Sequence, residues 1–238
     1  MTDALFLLDP LPAGDAFDLT GEEGRHAARV RRLSVGETLS VGDGRGGVLE
    51  CEVTAVLGDG LALAVRSRRL VPAPDPRLVV VQALPKGDRA ELAVETMTEL
   101  GVDEIVPWAA SRSITRWDGG RGDKALYRWQ RTAREAAKQS RRAWVPQVSA
   151  LATTTAVAPR VTLVLHEAAT TPLASVAVPD RGEIVVAVGP EGGISDDELA
   201  AFSAAGAVAV RLGEPVLRTS TAGAAALAAL SLRLGRWA

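Results

Sequence analysis

Glu183-Ile184-Val185-Val186-Ala187-Val188 runs without a break into Gly189-Pro190-Glu191-Gly192-Gly193-Ile194-Ser195. A little further on, Ala207-Val208-Ala209-Val210-Arg211-Leu212 runs into Gly213-Glu214-Pro215-Val216-Leu217-Arg218-Thr219-Ser220-Thr221-Ala222. A short apolar run rich in β-branched residues and closed by glycine and proline fits a strand buried on both faces of a sheet. Each run leads to a helix signal: Ser195 with Glu198 three positions on forms a capping box for a helix over 196–205, and the alanine-rich stretch 219–234 fits another. Outward from there, 78–83, 104–107 and 161–165 read as strands, and 88–100 and 124–140 as helices. Such alternation predicts an α/β domain, a mainly parallel sheet with helices on both faces.

In an open parallel sheet ligands collect beyond the carboxyl ends of the strands, so the loops after 161–165, 183–188 and 207–212 form the candidate site. Gly189, Gly192 and Gly193 would let the backbone approach a ligand and present N–H donors. The loop they build lacks the lysine and hydroxyl of a P-loop and does not match Gly-x-Gly-x-x-Gly, which turns the reading away from phosphate cradling. Leu212, Val216 and Leu217 offer an apolar slot for a flat ring such as adenine, with Arg218 beside it. His166-Glu167 follows the remaining strand. Either glycine-containing loop alone reads better as an ordinary turn or a core segment; together they point to a small-molecule site.

Residues 37–67 follow another pattern, Val/Leu runs separated by Gly42-Asp43-Gly44-Arg45-Gly46-Gly47 and Gly58-Asp59-Gly60. This is the signal of short strands joined by tight turns. Val71-Pro72-Ala73-Pro74-Asp75-Pro76 reads as a stiff linker, dividing the chain into a β-rich domain 1–71 and an α/β domain 72–238. The net charge of −2 hides a local asymmetry. Asp3, Asp9, Asp15, Asp18, Glu22 and Glu23 precede the first base, after which Arg25, Arg29, Arg31 and Arg32 follow closely; residues 112–142 hold ten basic side chains against three acidic ones. All basic residues but Lys86, Lys124 and Lys138 are arginine, the side chain suited to phosphate contact and base stacking. An RNA surface and a solvated arginine-rich helix face both remain open. The apolar runs are far shorter than the roughly 20 residues of a membrane span. Met1-Thr2-Asp3-Ala4 lacks a secretory start and Cys51 is the sole cysteine, so a cytoplasmic location is expected. His26 and His166 are the only histidines and no metal is expected.

The two loops, together with Glu99-Leu100-Gly101-Val102, Glu135-Ala136-Ala137-Lys138-Gln139-Ser140-Arg141-Arg142 and the front segment His26 to Arg32, resemble the bacterial 16S ribosomal RNA (uracil-N3) methyltransferases of the SPOUT superfamily. The resemblance spans essentially the whole chain. It implies a deep trefoil knot in the α/β domain, a PUA-like RNA-binding small β-barrel over 1–71, S-adenosyl-L-methionine as methyl donor, 16S rRNA of the 30S subunit as partner, and a homodimer completing the site. It implies cofactor contacts from Leu165, His166, Glu167, Gly189, Pro190, Glu191, Gly192, Gly193, Leu212, Gly213, Val216, Leu217, Arg218, Ser220 and Ala222. RNA contacts are implied for Arg25, His26, Arg29, Arg31, Arg32, Lys86, Arg141 and Arg142. Methylation at uracil N3 requires loss of the N3 proton; Glu191 as its acceptor and Arg218 as stabiliser of charge on the uracil oxygens are the catalytic candidates. Ser220 stands where the family usually carries glutamate, which removes a carboxylate and leaves a hydroxyl able to cap the helix. A different RNA target, or a non-catalytic RNA-binding role in ribosome assembly, are the alternatives.

Overall fold

The computed structural model describes residues 4–87 and 89–237. Expectations placed on Met1 to Asp3 and on Asp88 lie outside the described residues. The chain forms two compact units, one of residues 1–73 with 137–145 and one of residues 74–136 with 146–238.

The first unit contains β1 (Leu5–Leu7), β2 (Ala16–Leu19), α1 (Gly21–Arg25), a π-helical turn His26–Val30, β3 (Thr38–Gly42), β4 (Gly47–Leu57) and β5 (Gly60–Leu70). Its five strands lie in the order β1-β3-β4-β5-β2, with β1 parallel to β3 and the other pairs antiparallel. Alternate residues of β4, Leu49, Cys51 and Val53, meet Phe6, Leu39, Val41, Leu61 and Leu63 in one core. Register shifts at Glu50/Cys51 and Val53/Ala55 bend the long β4–β5 ribbon. The segment 137–145 belongs to this unit through named contacts. The Gly46 N–H donates to the Ala143 carbonyl, the Val145 N–H to Gly44, and the Trp144 indole N–H to Val71 at 3.0 Å. Lys138 Nζ lies 2.7 Å from Glu23 Oε1. Gly46, at φ +99°, has no room for a side chain: a Cβ would stand 2.9 Å from the Trp144 ring.

The second unit contains β6 (Arg77–Ala83), α2 (Arg89–Glu99), β7 (Glu104–Trp108), α3 (Gly119–Gln139, shared with the first unit at its end), β8 (Gln147–Val148), α4 (Thr154–Val157), β9 (Leu163–Leu165), β10 (Glu183–Val188), α5 (Asp196–Ala204), β11 (Val208–Val210) and α6 (Thr219–Arg233). The sheet is parallel throughout, in the order β11-β9-β10-β6-β7-β8. Successive side chains of a strand point to opposite faces, and the two faces carry different helices. Leu78, Val80, Ile184, Val186 and Val188 pack with Val94 and Met97 of α2, Trp129 and Ala133 of α3, and Leu227 and Leu230 of α6. Val79, Val81, Val185 and Ala187 pack with Val157 of α4 and Phe202 of α5. The expected α/β architecture is present, helices on both faces included.

Element ends differ from the sequence reading where tertiary packing overrides propensity. α3 starts five residues before the expected Lys124, inside Gly119-Gly120-Arg121-Gly122-Asp123, a poor helix sequence. A Cβ on Gly122 would stand 3.1 Å from the Trp117 backbone, so the first turn needs that glycine. β11 is confined to Val208–Val210, and Arg211 and Leu212 belong to the loop beyond it.

Candidate functional site

Because β11, β9 and β10 are neighbours and all parallel, their carboxyl ends lie side by side. Leu165 pairs in register with Val188 on one side and Val210 on the other. His166, Gly189 and Arg211 therefore begin three adjacent loops at one level of the sheet. Those loops enclose a cavity of about 360 Å³. Leu165, Val188, Ile194, Leu212, Val216, Leu217 and Ala222 are its apolar lining residues, and Arg89, Arg211, Arg218, Glu167, Glu191 and Glu214 its charged ones.

Thirteen of the fifteen positions expected at a cofactor line this cavity: Leu165, His166, Glu167, Gly189, Pro190, Glu191, Gly193, Leu212, Gly213, Val216, Leu217, Arg218 and Ala222. Gly192 and Ser220 stand outside the lining. A Cβ on Gly192 would meet the Arg112 carbonyl oxygen at 3.1 Å, so this glycine makes room for a neighbouring loop. Ser220 is buried in the first turn of α6. Glu191 is exposed, and its Oε1 accepts the backbone N–H of Lys86 at 3.2 Å. Arg218 makes no ion pair among the described residues. The His166 Nδ1 accepts the Ala168 N–H at 3.2 Å.

The loop 189–195 is braced from beneath. Glu198 lies in the first turn of α5, 5% exposed, and completes the capping box with Ser195. It also accepts the Ser111 N–H at 2.7 Å, the Ser111 hydroxyl at 3.0 Å and the Thr154 hydroxyl at 3.2 Å. Burial acts to raise its pKa, but the hydrogen bonds from Ser111 and Ser195 outweigh that and hold the carboxyl below the usual range. Arg112 Nη1 donates to the carbonyls of Ile194 at 3.3 Å and Gly192 at 3.5 Å. Thus the loop after β7 fixes the loop after β10.

Sequence reading missed Arg89, Arg211, Glu214, Arg112 and the wider bonding of Glu198. Arg211 and Glu214 stood inside the quoted loop, where their charge beside an apolar slot was a usable signal. Arg89 and Arg112 follow other strands, and only the strand order brings them here.

The positions expected to touch RNA have mixed surroundings. Arg25, Arg31 and Arg32 are exposed on α1 and the turn after it. Arg29 pairs with Asp59. His26 is half-buried, its ring edge-on to Phe6 at 5.8 Å, so part of its role is packing. Arg141 is exposed, and Arg32 and Arg141 both sit at positive φ, +55° and +56°. Arg142 is half-buried and Lys86 exposed. Among the described residues, no group of histidine, cysteine, aspartate and glutamate could hold a metal ion, and no helix is long and apolar enough to cross a membrane.

The parallel sheet and its three-loop cavity define the class. A family described as RNA methyltransferase domain matches residues 72–231, and one described as RNA methyltransferase PUA domain matches residues 19–65. The chain is 47% identical to ribosomal RNA small subunit methyltransferase E of Mycobacterium bovis, over all of this chain and 94% of that one. It is 30% identical to the protein of that name from Bacillus subtilis, over 90% of this chain and 89% of the other. The chain belongs to this family of RNA methyltransferases. Among solved structures, ribosomal RNA small subunit methyltransferase E from Neisseria gonorrhoeae bound to S-adenosyl methionine superposes with a TM-score of 0.86 at 28% identity, each chain covered to 98%. A Legionella pneumophila protein in complex with the bound cofactor gives 0.83 at 26% identity, also with 98% of each chain covered.

Proposed function

We propose that the chain transfers a methyl group from S-adenosyl-L-methionine to N3 of a uridine in 16S rRNA of the small ribosomal subunit, acting as a homodimer in the cytoplasm. The observation that carries the reading is the cavity built by the loops after β9, β10 and β11. Its chemistry fits the donor. An adenine finds the apolar side at Leu165, Leu212, Val216 and Leu217; a carboxylate finds arginines; an ammonium, a sulfonium and ribose hydroxyls find Glu167, Glu191 and Glu214. The relatives that share the family's name and the cofactor-bound neighbours support the same assignment. When bound, the donor supplies an activated sulfonium methyl.

Most of the chain's contribution is then placement. Glu191, anchored through the Lys86 N–H at the cavity wall, is the group we assign to accept the N3 proton, directly or through a water. Arg218, with no acidic partner among the described residues, is assigned to the negative charge that develops on the uracil oxygens. The basic side chains of the N-terminal unit, Arg25, Arg29, Arg31 and Arg32, are assigned to the RNA backbone, together with Lys86, Arg141 and Arg142. Leu92 of α2 and Leu232 of α6 are exposed apolar side chains; they support pairing with a second copy.

The test is methyl transfer from labelled donor to 30S particles and to free 16S RNA, followed by location of the modified base. Label at uracil N3 of 16S RNA is expected. Modification of transfer RNA alone would overturn the substrate assignment, and failure to bind the donor by calorimetry would overturn the enzymatic reading.

A further inference from the structure

A second cavity of about 270 Å³ lies in the same unit, lined by Leu84, Pro85, Glu91, Trp117, Arg128 and Trp129 among others. One loop separates it from the donor cavity. Residues 84–91 give Leu84, Pro85, Gly87, Ala90 and Glu91 to the second cavity and Arg89 to the first, and the Lys86 N–H is bonded to Glu191.

The lining sets an indole beside a paired carboxylate and guanidinium. Trp129 is 1% exposed and holds Trp117 edge-to-face at 5.1 Å, so the half-buried Trp117 is a braced indole rather than a mobile one. Braced indoles are stacking platforms for single-stranded bases. Beside it Glu91 Oε1 and Arg128 Nε stand 3.5 Å apart, an acceptor next to a fork of donors. That pair matches a base edge carrying an N–H beside a carbonyl, as in uracil and guanine. Thr115 already donates its hydroxyl to the Pro85 carbonyl at 2.9 Å, leaving its oxygen as a further acceptor.

An enzyme that works on a base must take that base out of its stack, and the flanking nucleotides then need places of their own. We infer that the cavity between α2 and α3 holds an unpaired base of the substrate RNA adjoining the methylated nucleotide, and that Trp117, Glu91 and Arg128 are specificity-determining residues. The identity of the RNA rests on the function proposed above; the base receptor itself does not.

Two measurements on the full-length protein separate those points. Fluorescence anisotropy with labelled single-stranded oligouridylate and oligocytidylate needs no methyl transfer. Trp117→Ala is expected to weaken both about tenfold, Trp117→Phe to restore most of the loss, and Glu91→Gln to weaken both about threefold, since uracil and cytosine each carry an N–H donor beside an acceptor. In steady-state methylation, Trp117→Ala is expected to raise KM for RNA about tenfold with kcat and the calorimetric Kd for donor unchanged. Unchanged oligonucleotide binding in both Trp117→Ala and Glu91→Gln would overturn the inference. A collapse of kcat at constant KM would overturn it too, because that would make this the place of the target base. If wild-type protein binds the oligonucleotides and shows these variant effects but methylates no 16S RNA, the proposed function fails and the receptor stands.

Discussion

Glu198→Gln isolates the brace beneath the cavity loop. Oε1 of Glu198 accepts the Ser111 N–H and the Thr154 hydroxyl, and Oε2 accepts the Ser195 N–H and two serine hydroxyls. A glutamine amide of the same shape must put its NH2 at one of these positions. Either way it opposes a backbone N–H that cannot rotate away. One hydrogen bond to a charged acceptor is lost, about 1.5–3 kcal/mol, and the remaining bonds lose their charge. A loss of roughly 2 kcal/mol is expected at neutral pH, equal to about a thirtyfold rise in hydrogen exchange at the Ser111 and Ser195 amides if they open locally. The pH dependence has a definite sign. The Glu198 pKa is depressed in the folded chain, so its contribution is fully present above the unfolded value of about 4.3 and disappears as pH falls through the folded value. The stability gap between wild type and variant, measured by urea unfolding, should therefore narrow below about pH 4. An exchange change under about threefold at neutral pH, or a gap that stays constant on acidification, would refute the reasoning.

Gly192→Ala should push the Arg112 backbone by a few tenths of an ångström and weaken donor binding about tenfold by calorimetry, whereas Gly58→Ala, with nothing within 4 Å of the added Cβ, should leave it unchanged. Gly223→Val would set a Cβ 2.8 Å from Met97 Sδ between α6 and α2; a loss of about 1–3 kcal/mol is expected from thermal or urea unfolding, and an unaltered midpoint would show that this contact yields freely. Glu104 is buried between Arg160 at 2.9 Å and Arg77 at 3.2 Å, beneath the opposite end of the sheet. Glu104→Ala should cost about 1–3 kcal/mol, reduced from the fully buried case because both arginines reach solvent, with donor affinity preserved. Arg29→Ala with Arg32→Ala should weaken RNA binding and flatten its salt dependence without altering donor affinity; parallel loss of both would indicate misfolding.

Much of the site was legible because its residues are contiguous. Gly189 to Ser195 and Leu212 to Ala222 each follow a strand directly, and a loop that follows a parallel strand must emerge at the site edge. The capping box at Ser195 and Glu198 was legible for the same reason: its partners are three residues apart. The further bonds of Glu198 to Ser111 and Thr154 were not, because 87 and 44 residues separate those partners in the chain. β1, β2, α1, β8 and α4 were missed through shortness, since two to five residues show neither period. The basic segment after Lys138 carries a different lesson. Arg141 and Arg142 read as RNA contacts, yet Trp144 just beyond them is committed to Gly46 and Val71 in the β-rich unit.

By itself the sequence determined the kind of layers, the strands that carry the site and the glycine-containing loops, since hydrophobic period and turn chemistry act over neighbouring residues. Strand order was decided only in three dimensions. The order β11-β9-β10-β6-β7 joins three cavity loops and adds Arg89 from the next connection, after β6, and Arg112 from the one beyond it, after β7. Which strand lies beside which depends on how whole apolar faces pack together, a sum over distant residues that no local window contains. The same packing placed Gly192 and Ser220 outside the cavity lining while Gly193 and Thr219, their neighbours in sequence, remained within it.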